Sequence, residues 1–149
     1  NDVLDKRIKI IKTNRGGKVT LHNPGQKVIY FVIDLNKRKK DIRLFLKIIE
    51  DSIIEFLKIY NINANSDRKN IGVWVNDKKI SAIGIKVKRW IAYHGCSINI
   101  SNDLSNYKKI NPCGLSNEMI TSFYELGFRN ARDINKNIIK IFIKNLSKK

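Results

Sequence analysis

The sequence is short of cysteine and of long hydrophobic runs, and each shortage excludes a class of protein. Only two cysteines, Cys96 and Cys113, occur among 149 residues. That number is too small for a disulfide framework and favours a reducing compartment, for which we expect the cytoplasm. No apolar run approaches the roughly 18 residues that a membrane-spanning helix requires. We therefore expect neither a disulfide-stabilised protein nor an integral membrane protein.

Acidic residues are also scarce. Thirty Lys and Arg residues stand against 13 Asp and Glu, which gives a formal charge of +17. Such a charge attracts polyanions, so nucleic acid and an acidic protein are both candidate partners. The basic residues are spread along the chain with only short runs such as 37–40, and a general solvated basic surface explains each run equally well. With 42% hydrophobic residues, the chain is too apolar for a disordered polycation.

Several motifs that carry chemistry are missing. The sequence contains no Walker loop, no dinucleotide-binding fingerprint, no serine nucleophile elbow and no evident pair of catalytic carboxylates. The two histidines, His22 and His94, show no spacing to the cysteines that is typical of metal ligands. We therefore expect no nucleotide, no other cofactor and no metal.

Hydrophobic periodicity predicts strands, one long helix, more strands and two late helices, which indicates an α+β or mixed α/β fold. The predicted strands are 7–13, 18–22, 27–35 (the last one buried), 71–75, 78–87, 89–95 and 96–101. The predicted helices are 41–60 with Asp41 as N-cap, 116–126 ending at Gly127, and 133–146 with Asp133 as N-cap. Turns are expected at Asn23-Pro24-Gly25 and, as a tight hairpin, at Asn76-Asp77.

The first candidate for chemistry is the segment that begins at Arg15 and ends at His22. Its adjacent glycines, Gly16 and Gly17, allow the backbone to approach a ligand closely, and their amides can bind a carbonyl or a phosphate. A simple turn is the alternative interpretation of a Gly-Gly pair. Arg15 and His22, at the two ends of the segment, favour the functional one.

The second candidate is Cys113, which lies between Pro112 and Gly114 just before a predicted helix. The positive end of a helix dipole favours a thiolate at such a position. The alternative is a small buried apolar residue, the usual role of an unpaired cysteine. Cys96 fits that alternative well because it alternates with isoleucines in a predicted strand, whereas Cys113 has turn residues as neighbours.

Two further residues could act together with a thiol. Lys79 leads into a strand of small and apolar residues, and its charge would lower the pKa of a thiol that it reached. A solvated hairpin lysine beside Lys78 is the alternative. His94 could be a general base, although a lone histidine beside Tyr93 is more often structural.

Four stretches resemble, in this order, the octanoyltransferases of lipoate biosynthesis, also called lipoyl(octanoyl) transferases or lipoate-protein ligase B. The stretches are RGGKVTLHNPGQ (15–26), GVWVNDKKISAIGIKVKRWIAYHG (72–95), SINISNDLS (97–105) and INPCGL (110–115). The resemblance implies the α/β fold shared with biotin and lipoate ligases. It also implies transfer of an octanoyl group from acyl carrier protein to a lysine of a lipoyl domain, without ATP.

The resemblance assigns roles to individual residues. Cys113 corresponds to the nucleophile that forms an acyl thioester, and Lys79 to the lysine that lowers its pKa. Backbone amides at Gly16-Gly17 or Gly114 are candidate donors to the oxyanion. The substrate-binding residues that it implies are Arg15, Gly16, Gly17, Lys18, Val19, Thr20, Leu21, His22, Ala82, Ile83, Gly84, His94, Gly95, Cys96 and Ser97.

The resemblance has departures and leaves alternatives. Asn23 stands where the family usually has Gly, Lys18 where it has Gln, and Cys96 where it has Leu or Val. Residues 1–149 are expected to form one catalytic domain that begins about where the family's first strands and helix end, so it is expected to be incomplete at its N-terminus. An ATP-dependent lipoate or biotin ligase of the same fold and a non-catalytic nucleic-acid-binding domain are the alternatives.

The resemblance also names partners. It implies octanoyl-acyl carrier protein as donor, and lipoyl domains of 2-oxoacid dehydrogenases and the glycine cleavage H protein as acceptors. It implies neither a nucleic acid nor a membrane as partner.

Overall fold

The longest helix forms where the apolar periodicity predicts it. In this computed structural model, which describes residues 3–5, 7–111 and 119–148, α1 spans Ile42–Lys58. The Asp41 carboxylate accepts a hydrogen bond from the Leu44 backbone N–H at 3.0 Å, so the predicted N-cap is confirmed. The buried face of α1 is an apolar stripe at helical spacing, with Phe45, Ile49, Ile53, Phe56 and Leu57 buried together with Ser52.

Five antiparallel strands form one sheet in the order β1-β5-β4-β3-β2. The strands are β1 (Gln26–Asp34), β2 (Asn65–Ser66), β3 (Val73–Val75), β4 (Lys78–Lys88) and β5 (Ile91–Asn99). Short 3₁₀ helices follow β1 at Leu35–Lys37 and β5 at Leu104–Lys109, and the last helix, α2, spans Ile134–Leu146. The predicted mixed α/β class is confirmed.

Tight turns connect the central strands. The predicted hairpin at Asn76-Asp77 is confirmed, and both residues have positive φ (47° and 61°), as a type I′ turn requires. The next turn was not predicted: Arg89 and Trp90 also have positive φ (52° and 62°) and join β4 to β5. The predicted strands 89–95 and 96–101 are therefore wrong as separate elements, because β5 is continuous from Ile91 to Asn99.

The hydrophobic core lies between the sheet and the two helices. Ile98 and Cys96 of β5, Val73 of β3 and the buried face of α1 belong to one cluster. Ile138, Ile141 and Phe142 of α2 complete it. The opposite face of β4 and β5 is covered by irregular segments before β1 and after β5, and this face carries the residues discussed below.

The two predicted strands before β1 and the predicted burial of β1 are wrong. Residues 7–13 and 18–22 are irregular rather than strands. Ile8, Val19 and Leu21 pack against a small cluster of Tyr107, Ile110 and Ile120, whereas Ile10 and Ile11 are exposed. β1 is not buried, because it pairs only with β5 among the described strands and leaves Tyr30 and Val32 73% and 74% exposed.

The predicted helix 116–126 is also wrong over its described part, 119–126. The N–H groups of Thr121, Phe123 and Tyr124 donate to carbonyls of Lys79, Asn99 and Ile100 instead of to a helix. Only one turn follows, and it ends at Gly127 with φ +89°, where the Phe128 N–H donates to Phe123 O and the Gly127 N–H to Tyr124 O.

Asp133 precedes α2 as predicted but does not cap it through its side chain. Its backbone is left-handed (φ 56°, ψ 21°), and its carboxylate makes no capping hydrogen bond. Only its carbonyl takes part, as acceptor of the Asn137 N–H at 2.9 Å.

Candidate active site

Lys79 is a buried lysine at the start of β4. Its side chain is enclosed, with the residue only 5% exposed. The ammonium Nζ donates a hydrogen bond to Ile71 O at 3.0 Å and lies 4.9 Å from the centre of the Trp74 ring. A buried ammonium needs such compensation because burial disfavours the charged form. The alternative interpretation of Lys79 as a solvated hairpin lysine is therefore excluded.

The loop before β3 is shaped to hold this side chain. Trp74 Nε1 donates to Asn70 O at 3.0 Å, which fixes the indole next to the loop. Gly72 has φ +142°, and a Cβ there would lie 2.9 Å from Lys79 Cε and 2.6 Å from Ser81 O. The Gly72 N–H donates to Glu50 Oε1 of α1 at 3.3 Å. Glycine at position 72 therefore makes room for the lysine.

A small cavity lies beside Lys79. It brings together four residues that the sequence singled out: Thr20 from the glycine-rich segment, Lys79 and Ala82 from β4, and Ser97 from β5. Ala82 and Ser97 are directly paired across β4 and β5. The cavity is also lined by Ser81, Asn99, Tyr107 and Ile120.

The glycine-rich segment lies across β4 near this cavity. The Gly16 N–H donates to Ile85 O at 2.9 Å, and a Cβ on Gly84 would lie 2.9 Å from Arg15 Cδ. The Arg15 guanidinium donates to the carbonyls of Gly16 (2.9 Å) and Lys18 (2.8 Å), so it closes the turn on itself. The Gly16 N–H is therefore already hydrogen-bonded and is not available as the oxyanion donor that the sequence suggested.

His22 is fixed at the other end of the same segment. Its Nδ1 lies 2.6 Å from Gln26 Oε1. Because Gln26 Nε2 donates to Asn99 Oδ1 (2.8 Å) and lies 3.0 Å from the Tyr107 hydroxyl, the Gln26 oxygen faces the ring and accepts from Nδ1–H. His22 is thus held at the edge of a network that reaches the cavity, although it does not line the cavity itself.

Three other predicted residues lie away from the cavity. His94 has φ 69°, stacks on Tyr93 at 4.9 Å and contacts Asn14 Oδ1 through Nε2 at 2.7 Å. Ile83 packs against the core, and Cys96 is 4% exposed within it. Burial raises the pKa of the Cys96 thiol to about 12, so this sulfur is protonated and unreactive near neutral pH.

Cys113 and its neighbours 112–118 lie outside the described residues. Described residues before and after this segment lie close to one another. Ile110 and Ile120 pack together with Tyr107, and Ile120 pairs with Lys79 in a parallel bridge. Ile110 and Ile120, which are described on the two sides of residues 112–118, therefore belong to one cluster, and Ile120 lies directly beside Lys79.

Sequence reasoning missed Asn99, Tyr107 and Ile120 as residues of the site. Asn99 carried a usable signal, because it is a polar residue between Ile98 and Ile100 in an apolar strand and is only 5% exposed. Tyr107 and Ile120 gave no such signal, since their positions depend on how the irregular segments fold over the sheet.

Other parts of the described structure offer no competing constellation of the predicted residues. A larger groove of about 810 Å³ lies between β1 and α2, and none of its described lining residues is a predicted site residue. Among residues 3–5, 7–111 and 119–148, no three His, Cys, Asp or Glu side chains come together as metal ligands would. Within those same ranges no helix has the length and apolarity to cross a membrane.

Comparison with known families agrees with the four sequence stretches. Residues 1–142 match the family model described as the lipoyl protein ligase A/B catalytic domain. The octanoyltransferase of Wolbachia sp. subsp. Brugia malayi (strain TRS) is 45% identical over 152 residues, covering 95% of this chain and 74% of the relative. The octanoyltransferase of Caldanaerobacter subterraneus subsp. tengcongensis is 44% identical over 126 residues, covering 85% and 55%. The chain thus spans between about half and three quarters of the length of these relatives.

Solved structures of low sequence identity share the fold. A bipartite lipoate protein ligase from Thermoplasma acidophilum superposes with a TM-score of 0.71 at 15% identity, over 90% of this chain and 56% of that one. The biotin protein ligase from Aquifex aeolicus gives 0.63 at 21% identity, over 83% and 53%. The expected likeness to biotin and lipoate ligases is confirmed for the fold. The chain belongs to the lipoyl protein ligase A/B catalytic-domain family, and its curated relatives place it with the octanoyltransferases, which are acyltransferases.

Proposed function

We propose that this protein moves an octanoyl group from acyl carrier protein to a lysine of a lipoyl domain through a thioester on Cys113. The acceptors would be lipoyl domains of 2-oxoacid dehydrogenases and the glycine cleavage H protein. The observation that carries the proposal is a buried lysine, Lys79, in a cavity with Ala82 and Ser97, in a chain 45% identical to an octanoyltransferase. The role of Cys113 itself is part of the proposal.

In the first step the Cys113 thiolate attacks the carbonyl carbon of the donor thioester. The new carbon–sulfur bond forms, the bond to the carrier's sulfur breaks, and the carrier leaves as a thiolate that takes a proton from solvent. The Lys79 ammonium favours the reactive form of Cys113, because a nearby positive charge lowers a thiol pKa. One thioester replaces another, so the step requires little free energy.

In the second step the acceptor lysine attacks the acyl-enzyme as a neutral amine. An amide bond forms, the amine loses one proton to solvent, and Cys113 leaves as the thiolate with which the cycle began. Because an amide is more stable than a thioester, this step runs downhill without ATP. The proposed cycle is a ping-pong reaction with a covalent intermediate.

The cavity constrains how the acyl chain binds. Its volume of about 10 Å³ is room for about one water molecule. An eight-carbon chain must therefore displace wall side chains as it enters. Thr20 is a wall residue that can move at small cost, because it is half-buried and belongs to an irregular segment rather than to the sheet.

The charge of the surface fits the proposed partners. Lys18 is exposed on the irregular segment that supplies Thr20 to the cavity, and Lys108 and Lys109 are exposed on the 3₁₀ helix that supplies Tyr107. Complementary charge speeds the encounter of two proteins, so an acidic carrier or lipoyl domain would be favoured at this edge. We place the reaction in the cytoplasm, because the chain keeps Cys96 as an unpaired thiol and has no disulfide framework.

The proposal is tested by supplying octanoyl-acyl carrier protein and a lipoyl domain without ATP and measuring the intact mass of the lipoyl domain. We expect one octanoyl group on the acceptor, loss of transfer in Cys113→Ser, and retained transfer in the matched variant Cys96→Ala. An unmodified acceptor with the wild-type chain would overturn the proposal. Transfer that starts from free octanoate and requires ATP, with release of pyrophosphate, would instead indicate a ligase.

A further inference from the structure

Asn99, at the end of β5, uses both ends of its amide to join the two walls of the cavity that it lines. The residue is 5% exposed. Its Nδ2 donates to Thr121 O at 3.0 Å. Its Oδ1 accepts hydrogen bonds from Gln26 Nε2 at 2.8 Å and from Asn102 Nδ2 at 3.1 Å. A buried amide with partners at both ends is a rigid connection, because losing any partner would leave a polar group unpaired.

The Nδ2 end of the Asn99 amide is linked through Thr121 to β4, the strand that carries Lys79. The Thr121 N–H donates to Lys79 O at 3.0 Å, and Ile120 pairs with Lys79 in a parallel bridge. Asn99 therefore holds the chain that follows Cys113 in sequence against the backbone of Lys79. The contact between that chain and the lysine backbone combines the Thr121 N–H bond to Lys79 O with the side-chain bond from Asn99 to Thr121 O.

The Oδ1 end of the Asn99 amide accepts hydrogen bonds from residues at the opposite wall of the cavity. Gln26, which donates to Asn99, also donates to Leu21 O at 3.3 Å and accepts from His22 Nδ1. The Tyr107 hydroxyl lies 3.3 Å from Asn99 Oδ1. The segment that contributes Thr20 to the cavity is thus held by the same residue that holds Thr121.

We propose that Asn99 is a positioning residue, which holds Thr121 against the backbone of Lys79 and so sets the Lys79 ammonium in the place from which it activates the thiol. This inference rests on the proposed octanoyltransferase function. Asparagine suits the position because its side chain offers one donor end and one acceptor end. Aspartate has the same shape but no donor, so it would set a carboxylate oxygen against Thr121 O and release the chain beside Lys79.

The test compares acyl-enzyme formation by wild type and Asn99→Asp across pH, using octanoyl-acyl carrier protein. If the thiol pKa returns from about 7 to the ordinary value of about 8.5, the thiolate fraction near pH 7 falls about 15-fold, and so should the rate. The rate should recover as the pH rises above about 9, because the thiol then ionises without help from the lysine.

A structural role alone would lower the rate by the same factor at every pH, in proportion to the folded fraction. The matched control is Asn145→Asp, which removes an amide that donates to Ser52 Oγ (3.1 Å) and Glu55 Oε2 (2.9 Å) between α1 and α2. We expect it to lower the melting temperature and leave the pH profile unchanged. If Asn99→Asp does not fold, Asn99→Gln replaces it, since that side chain keeps both amide ends but displaces them, with the same shift expected.

The outcomes separate the two proposals. A wild-type chain that forms no acyl-enzyme overturns the proposed function and this inference with it. A wild-type chain that is acylated, with folded Asn99 variants showing the same rate and pH profile, overturns only the role of Asn99.

Discussion

Replacing Gly72 by alanine should disturb the site through Lys79, although residue 72 lies outside the proposed chemistry. The new Cβ would be 2.6 Å from Ser81 O and 2.9 Å from Lys79 Cε. The strand backbone cannot yield, whereas the lysine side chain can, so we expect the ammonium to leave its place between Ile71 O and the Trp74 ring.

The magnitude follows from two contributions. Backbone strain at φ +142° costs about 1–3 kcal/mol for a residue with a side chain, and overpacking a buried site costs about 1–3 kcal/mol more. The matched control is Gly127→Ala, where φ is +89° and a Cβ would meet nothing within 4 Å. Strain alone should cost that control about 1–2 kcal/mol.

Urea unfolding and the rate of acyl-enzyme formation near neutral pH measure both effects. Gly72→Ala should lose about 2–6 kcal/mol of unfolding free energy and, under conditions where it is folded, acylate about tenfold more slowly as the thiol pKa rises. Gly127→Ala should keep the wild-type rate. The reasoning fails if Gly72→Ala loses no more stability than Gly127→Ala and acylates at the wild-type rate.

Three further predictions concern residues around the site. Burial raises the pKa of Cys96 from 9.0 to about 12, so the thiol adds stability below pH 9 that is lost as the pH rises toward 12. The variant Cys96→Ala should therefore show a smaller loss of unfolding free energy over this pH range. Iodoacetamide should not alkylate Cys96 in the native protein. The Ser81 hydroxyl is buried without a hydrogen-bond partner among the described residues. Thermal unfolding of Ser81→Ala should therefore show unchanged stability or a gain of about 1 kcal/mol. A loss of stability larger than about 1 kcal/mol would show that the hydroxyl does have a partner. Asp41→Ala should cost about 1 kcal/mol by removing the N-cap of α1, with no change in the acylation rate of the folded protein; a slower rate would link α1 to the site.

The elements that sequence analysis located are those whose signals are local. The helix after Asp41 has a capping residue and a stripe at helical spacing, and the Asn76-Asp77 turn has residues that tolerate positive φ. Both signals act within a few residues and do not depend on what the element packs against.

The wrong predictions concern segments whose structure is set by partners far away in sequence. Residues 18–22 have the apolar content of a strand, but Val19 and Leu21 pack against the cluster of Tyr107, Ile110 and Ile120 and are not part of a strand. The N–H groups of Thr121 and Phe123 are taken by β4 and β5, so no helix forms there. β-propensity and helical periodicity cannot distinguish these cases, because the competing contacts are tertiary.

The candidate site was predicted in part. Sequence motifs singled out Lys79, Thr20, Ala82 and Ser97, and the fold brings these four to one cavity. Alternation with isoleucines favoured a buried apolar role for Cys96, whereas the family resemblance placed both Cys96 and Ser97 among the substrate-binding residues. The strand register decides between them, with Cys96 in the core and Ser97 at the cavity. The motifs could not find Tyr107, which reaches the site from a 3₁₀ helix. The roles of Cys113 and of the other substrate-binding residues stay predictions.

The pKa of the Cys113 thiol, measured from the pH dependence of its alkylation by iodoacetamide, tests most directly whether a buried ammonium activates this sulfur. Cys96 does not interfere, because its thiol has a pKa of about 12 and is buried. We predict a pKa well below the ordinary value of about 8.5 in the wild type and a return to that value in Lys79→Ala. A thiol that titrates at the same pH with and without the lysine would contradict the account.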